Sequence, residues 1–169
     1  MKSFQEIYRQ EIAYVWSCLR RLGVEEKSLE DKAHDVFMVF YRKRRVFDVT
    51  RPVRPWLCGI AARVALDHNR LAYKKREVLS DQVAVDMAIP NPEAAMERSE
   101  ARRYLLMALD VLDIERRTVL VLHDIEGRSI PEIAEIVNAP INTLYSRLRL
   151  ARQQLTGLLK RESVKRCGT

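Results

Sequence analysis

Residues 129–152 read SIPEIAEIVNAPINTLYSRLRLAR, and their reading decides the fold. Ser129 followed three residues later by Glu132 is a capping-box pattern, in which the serine oxygen accepts from the N–H of residue 132 and the glutamate reaches back to the N–H of residue 129. Pro131 falls in the first helical turn, where a missing N–H is tolerated. Ile133, Ala134, Ile136 and Val137 then give a short helix an inward face. At Asn138-Ala139-Pro140 the pattern breaks, because asparagine can take the left-handed conformation and proline can start the next helix. In that helix Leu144, Leu148, Ala151, Leu155 and Leu158 recur at spacings of four, three, four and three, one continuous buried stripe. The opposite face presents Asn142, Thr143, Tyr145, Ser146, Arg147, Arg149 and Arg152. A short helix, a three-residue turn and a longer helix with an arginine-rich face make a helix-turn-helix, whose second helix enters the DNA major groove. Arginine reads guanine edges, and Asn, Ser and Tyr reach phosphates or bases. A plain helical hairpin with a solvated basic face is the competing reading. The small Ala134, the turn and the basic face together favour the DNA reader.

Upstream, Asn91 with Pro92 and Glu93 is an N-terminal cap signal opening a helix through Leu105, Leu109 and Leu112. Asp113 precedes a further helix carrying Val119, Leu120 and Leu122 to a stop at Gly127. The N-terminal half holds three more helical patterns. Phe4, Tyr8, Ile12, Val15, Leu19 and Leu22 form the first apolar face, with Gly23 as its stop. Ser28 is placed to cap the second, whose face is Leu29, Ala33, Val36, Phe37 and Phe40 and whose basic end is Arg42 to Arg45. The third runs from about Pro55 to Arg76, with Trp56, Leu57, Ile60, Ala61 and Val64 inward and a polar stripe of Arg63, Asp67, Arg70 and Lys74.

The chain has 169 residues, 47% apolar and 31% charged, which is globular composition. Its formal charge of +7 favours a polyanionic partner, nucleic acid first. That charge is unevenly spread: residues 1–78 sum to +7, residues 79–101 to −4 and residues 102–169 to +4. Two basic blocks thus flank an acidic bridge, and the proline-bearing stretch Ser80 to Pro92 reads as a flexible tether. The expected architecture is all-α: two small helical domains at 1–78 and 93–169, joined by a flexible acidic linker at 79–92. Cys18, Cys58 and Cys167 are odd in number and far apart in sequence, so neither a disulfide framework nor a CxxC pair is expected. His34 and His68 lack partners at metal-ligand spacing, so no metal or other cofactor is expected. The N-terminus lacks an apolar core and no run reaches the roughly 18 apolar residues of a membrane span, so a soluble, unprocessed, cytoplasmic chain is expected.

Trp56 and Tyr73 beside the basic helix edge admit two readings. They could stack an unpaired base while the edge follows a backbone; alternatively Trp56, on the apolar face, is core. Lys74 to Arg76 could equally be a solvated helix end.

Beyond these residue-by-residue readings, the whole chain resembles the extracytoplasmic-function sigma factors, small subunits of bacterial RNA polymerase built from two regions termed two and four. The N-terminal likeness lies in Leu29-Glu30-Asp31-Lys32-Ala33-His34-Asp35-Val36-Phe37 and Arg54-Pro55-Trp56-Leu57-Cys58-Gly59-Ile60-Ala61, followed by Asp67 and Arg70. The C-terminal likeness lies in Ile133-Ala134-Glu135-Ile136, Thr143-Leu144-Tyr145-Ser146-Arg147-Leu148 and Ala151-Arg152. The resemblance implies that the second helix docks on the β′ clamp of core RNA polymerase through Asp31, His34, Asp35 and Phe37 or their neighbours, and that the chain also meets the polymerase β flap. It implies that the third helix and its preceding loop, through Arg54, Trp56, Arg63, Asp67, Arg70, Tyr73 and Lys74, take the minus-ten promoter element and hold an unpaired base. The recognition helix would read the minus-thirty-five element as double-stranded DNA through Asn142, Thr143, Tyr145, Ser146, Arg147, Arg149 and Arg152. Two such modules on one tether raise each other's effective concentration on a promoter. The family is commonly restrained by an anti-sigma factor. The chain departs from many relatives at Arg63, Tyr145 and Leu150, so the promoter sequence is not inherited.

Two other classes compete with this one. A stand-alone helix-turn-helix regulator predicts a dimer on a two-fold operator, without coiled-coil heptads to support it. An enzyme would have to lack GxSxG, P-loop, HExxH and any His/Cys cluster by spacing.

Overall fold

Ser3 and Glu6 satisfy each other's backbone at the first helix start, Glu6 N–H to Ser3 Oγ at 3.2 Å and Ser3 N–H to Glu6 Oε2 at 2.7 Å. From that capping box α1 runs Phe4–Arg21. It stops at Gly23, whose φ of 86° suits a residue without Cβ, and the N–H of Val24 returns to the Leu19 carbonyl at 3.0 Å. The remaining helices are α2 (Leu29–Lys43), α3 (Val53–Val78), α4 (Glu93–Leu109), α5 (Ile114–Leu120), α6 (Ile130–Val137) and α7 (Ile141–Cys167). This computed structural model describes residues 3–48, 50–78 and 93–167, with side chains described for all of these but 74–78, 93–98, 159 and 161–167. Among the described residues there is no strand, as the all-α reading expected.

Several local expectations meet different physics. Ser28 does not cap α2 through its side chain; a single 3₁₀ turn, Glu26–Ser28, leads into the helix instead. Helix α3 starts at Val53, two residues before Pro55, leaving the proline inside the tolerant first turn. The helix after Asp113 closes into a π-turn at Val121–Ile125 before reaching Gly127. The expected cap at Asn91-Pro92 and the tether at 79–92 lie outside the described residues.

Helices α1, α2 and α3 pack on one another. Ala61, Ala62 and Ala65 let α3 approach its neighbours closely, while Phe37 and Phe40 fill the centre beside Leu19, Leu22 and Leu57. Burying each such aromatic or leucine contributes about 1.5–3 kcal/mol. In the second unit α7 lies along α5 and α6, with Leu109, Leu122, Ile133, Leu144 and Ala151 buried. The core does not stop at the boundary between the halves. α3 also packs on α5 and α6, and one apolar cluster runs through both.

Two arginines close that junction by the same device. Arg117 on α5 is 6% exposed and donates from Nε to the Arg21 carbonyl at 2.6 Å and from Nη2 to the Arg20 carbonyl at 3.0 Å, while Nη1 meets Asp110 at 2.5 Å. Arg63 on α3 donates to the Ile136 and Glu135 carbonyls, at 2.8 and 3.0 Å. Each guanidinium thus satisfies carbonyls at the end of a helix in the other half, where the helix dipole favours a cation.

Candidate nucleic-acid interface

The helix-turn-helix forms as its sequence dictates. Ser129 and Glu132 make the capping box, with Ser129 N–H donating to Glu132 Oε2 at 2.8 Å. These bonds from the Ser129 backbone and hydroxyl, helped by Arg128, hold the Glu132 carboxyl below the usual glutamate range. Asn138 ends α6 in the left-handed conformation, φ 51° and ψ 56°, and its N–H returns to the Ala134 carbonyl. Pro140 then precedes α7, and the Leu144 N–H bonds to its carbonyl at 3.2 Å.

On α7 the seven expected DNA-reading residues divide. Asn142, Tyr145, Ser146 and Arg149 are exposed, Tyr145 at 58%. Ser146 turns its hydroxyl back to the Asn142 carbonyl at 3.1 Å, and Thr143 is half-buried. Arg147 is instead held against Glu115 of α5. Arg152 forks onto Asp124, Nε to Oδ2 at 2.9 Å and Nη2 to Oδ1 at 2.5 Å, and this pairing, with His123, depresses the Asp124 carboxyl. The basic face is therefore not uniformly open: acidic groups from α5 and the π-turn take two of its arginines.

The expected minus-ten group on α3 also divides. Arg54 pairs with Glu11 at 2.7 Å and lies over the Tyr14 ring, 5.2 Å from its centroid. Trp56 is half-buried, stacked on Phe47 with centroids 4.7 Å apart and an interplanar angle of 14°, and edge-on to Phe40. It serves the core through one face. The polar stripe expected to meet solvent turns toward the second unit: Arg63 reaches α6 as described, and Arg70 pairs with Glu115 at 3.2 Å. One carboxylate thus holds Arg70 and Arg147 together, one arginine from each expected DNA-reading group. Asp67 and Tyr73 are exposed, and the Lys74 side chain lies outside those described. Ahead of α3, Asp48 accepts from the Thr50 N–H at 3.0 Å and hydroxyl at 2.7 Å, which depresses its carboxyl and shapes the loop. Beside that loop opens a pocket of about 430 Å³ lined by Phe47, Arg51, Trp56, Arg128 and Glu132.

Comparison with known proteins places these two helical units. Sigma-70 region 2 matches residues 7–75 and sigma-70 region 4 matches residues 102–155. The RNA polymerase sigma factor CnrH of Cupriavidus metallidurans is 30% identical over 160 residues, covering 86% of this chain and 81% of that protein. The chain belongs to the extracytoplasmic-function RNA polymerase sigma factors. The sigma factor SigE of Mycolicibacterium smegmatis is 31% identical over 170 residues, which cover 96% of this chain and 64% of that protein. The sigma factor RpoE of Bartonella quintana, solved in complex with the anti-sigma factor NepR, shares the fold with a TM-score of 0.66 at 21% identity, over 95% of this chain and 98% of that one. Sigma factors are non-catalytic promoter-recognition subunits of RNA polymerase, and this chain carries regions 2 and 4 of the sigma-70 family.

On α2 of this sigma factor, Asp31 and His34 are exposed and Asp35 is held by Lys32 at 2.6 Å. Phe37, expected at the polymerase-facing surface, is instead 2% exposed, its ring 4.7 Å from that of Tyr8. Its place on the apolar face decides this, because the three-helix core needs an aromatic there. Met38 and Tyr41 are the exposed apolar side chains of the same helix, and sequence reasoning missed them. Their signal was available: both fall off the Leu29, Ala33, Val36, Phe40 face. Among the described residues no helix is long and apolar enough to cross a membrane.

Proposed function

We propose that this sigma factor binds core RNA polymerase through α2, with Asp31, His34 and Asp35 beside the exposed Met38 and Tyr41 meeting the β′ clamp. Its domains are taken as residues 1–78 and 93–169 with a linker at 79–92, the second unit also meeting the β flap. Residues Asn142, Tyr145, Ser146 and Arg149 read the minus-thirty-five element in the major groove, with Thr143 beside them. Arg147 and Arg152 join them on release from Glu115 and Asp124. The pocket beside Trp56 accepts an unpaired base of the minus-ten element, while Tyr73 and Lys74 follow the backbone with Asp67 among them, and Arg54, Arg63 and Arg70 join on release from Glu11, the α6 carbonyls and Glu115. The chain carries no catalytic site of its own and works in the cytoplasm. An anti-sigma factor is a fitting further partner, since a structurally similar sigma factor was solved with one.

The observation that carries this reading is the α6–Asn138–α7 geometry, with its outward Asn142, Tyr145 and Arg149. Core polymerase lacking sigma, mixed with the full chain and separated by size, tests the partner. Co-migration is expected, weakened by Asp31→Arg or Tyr41→Ala. A chain that elutes apart from the enzyme at micromolar concentration refutes the polymerase contact.

A further inference from the structure

Cys18 of α1 and Cys58 of α3, 40 residues apart, are both fully buried with their sulfurs 3.2 Å apart. Glu126, in the turn before α6, completes a group whose three ligand atoms all lie within 4.8 Å of one another. The Tyr14 hydroxyl donates to Glu126 Oε2 at 2.6 Å, and Arg21 holds Glu126 Oε1 at 2.6 Å. Burial, followed by Cys58 and the Glu126 bond, pushes the Tyr14 phenol up, and the bond to Cys58 with burial pushes the Cys18 thiol up.

Two buried thiols alone would serve as small apolar filler. The Glu126 carboxylate is only 12% exposed, and Arg21 and the Tyr14 hydroxyl hold it with an oxygen within 4.8 Å of both sulfurs, a third ligand type that filler alone would not call for. We propose that Cys18, Cys58 and Glu126 form a binding site for a zinc-class divalent cation, with the Tyr14 oxygen or a water as fourth ligand.

The chemistry of the donor set selects the ion. Thiolates favour zinc and its relatives over magnesium or calcium, and a site of two sulfurs and two oxygens suits tetrahedral coordination. Zinc–sulfur bonds of about 2.3 Å set two tetrahedral sulfurs about 3.8 Å apart, so the thiols must part slightly on binding. Each thiol releases its proton as the ion enters, and binding is therefore stronger at higher pH. Two thiolates and one carboxylate overbalance a divalent ion by one negative charge, which Arg21 offsets. Cys18 and Cys58 belong to the first unit and Glu126 to the second, so a bound ion ties the halves in the arrangement where Arg63 and Arg117 already join them. The site does not depend on the promoter reading, and its test does not use transcription.

The full chain, reduced and freed of metal, is titrated with Co(II) and then with Zn(II). One Co(II) per chain is expected, with thiolate-to-cobalt absorption in the near ultraviolet and tetrahedral bands in the visible, all displaced by Zn(II). Cys18→Ser and Cys58→Ser should abolish the thiolate absorption, and Cys167→Ser should leave it intact. Glu126→Gln, which spares the buried thiols should the cysteine variants not fold, should weaken binding about tenfold or more. Absence of a thiolate–cobalt signal in the wild-type chain overturns the proposal. Undiminished affinity in Glu126→Gln, or loss of the signal in Cys167→Ser, overturns it equally.

Discussion

Arg147 and Arg149 stand two positions apart on α7 yet meet different surroundings. Arg147 is pinned on Glu115, whereas Arg149 is exposed and among the described residues has no carboxylate partner. A guanidinium free of internal partners can form a bidentate pair with a guanine edge without first breaking a bond. Arg149→Ala should therefore cost about 1–3 kcal/mol at a single base position, read from competition binding across single-base variants of the bound site. Equal loss on every variant would make Arg149 a phosphate contact. Residue-scale legibility was uneven for a physical reason. Asn138 could be read from its own chemistry, because a left-handed residue is a local requirement. Arg63 and Arg117 could not, because their partners are carbonyls 72 to 97 positions away. Nothing in a local pattern marks an arginine as the cap of a distant helix. The meeting of Cys18 and Cys58 was hidden likewise, since spacing rules detect ligands on one turn or one hairpin and not on two crossing helices.

At the scale of elements, the start of α6 is the clearest case of sequence dictating structure. Ser129 and Glu132 satisfy each other's backbone groups, and the short helix depends on them because eight residues cannot hold themselves in water. Ser129→Ala should cost about 1 kcal/mol in chemical denaturation. Because the folded Glu132 carboxyl lies below the usual glutamate value, its contribution is present above about pH 4.3 and lost as pH falls through the folded value. The stability gap between wild type and Glu132→Ala should accordingly be full at pH 7 and close toward pH 3. A gap unchanged by acid would show that the carboxylate charge plays no part. Ser28 offers the contrast. Its sequence position invites a cap as Ser129 does, but a 3₁₀ turn at Glu26–Ser28 carries the chain into α2 and the hydroxyl makes no capping bond. The amphipathic faces of α1, α2 and α7 were legible because their apolar spacing repeats over several turns. The π-turn at Val121–Ile125 was not, because its residues fit an ordinary helix equally well.

For the whole molecule, the division of charge into two basic blocks suggested two units but gave no sign that α3 packs on α5 and α6. The polar stripe on α3 looked solvated in sequence, and it faces the second unit because α6 and α5 supply carbonyls and a carboxylate of matching charge. Glu115 sits at the centre of this junction, holding Arg70 of α3 and Arg147 of α7. Glu115→Gln should free both arginines for phosphate. The slope of log affinity against log salt on promoter DNA should then steepen, by up to about 0.9 for each arginine that gains a phosphate. An unchanged slope would mean that neither arginine reaches the DNA backbone.

The central claim, that two helical units together give RNA polymerase its promoter, is tested most directly by run-off transcription. The full chain and sigma-free core polymerase are combined on a pool of promoter fragments, and the transcripts are sequenced. The account predicts discrete start sites sharing two upstream elements, with the farther element altered or lost in Arg149→Ala. DNA binding by the chain with the polymerase left silent would contradict it and favour a stand-alone regulator.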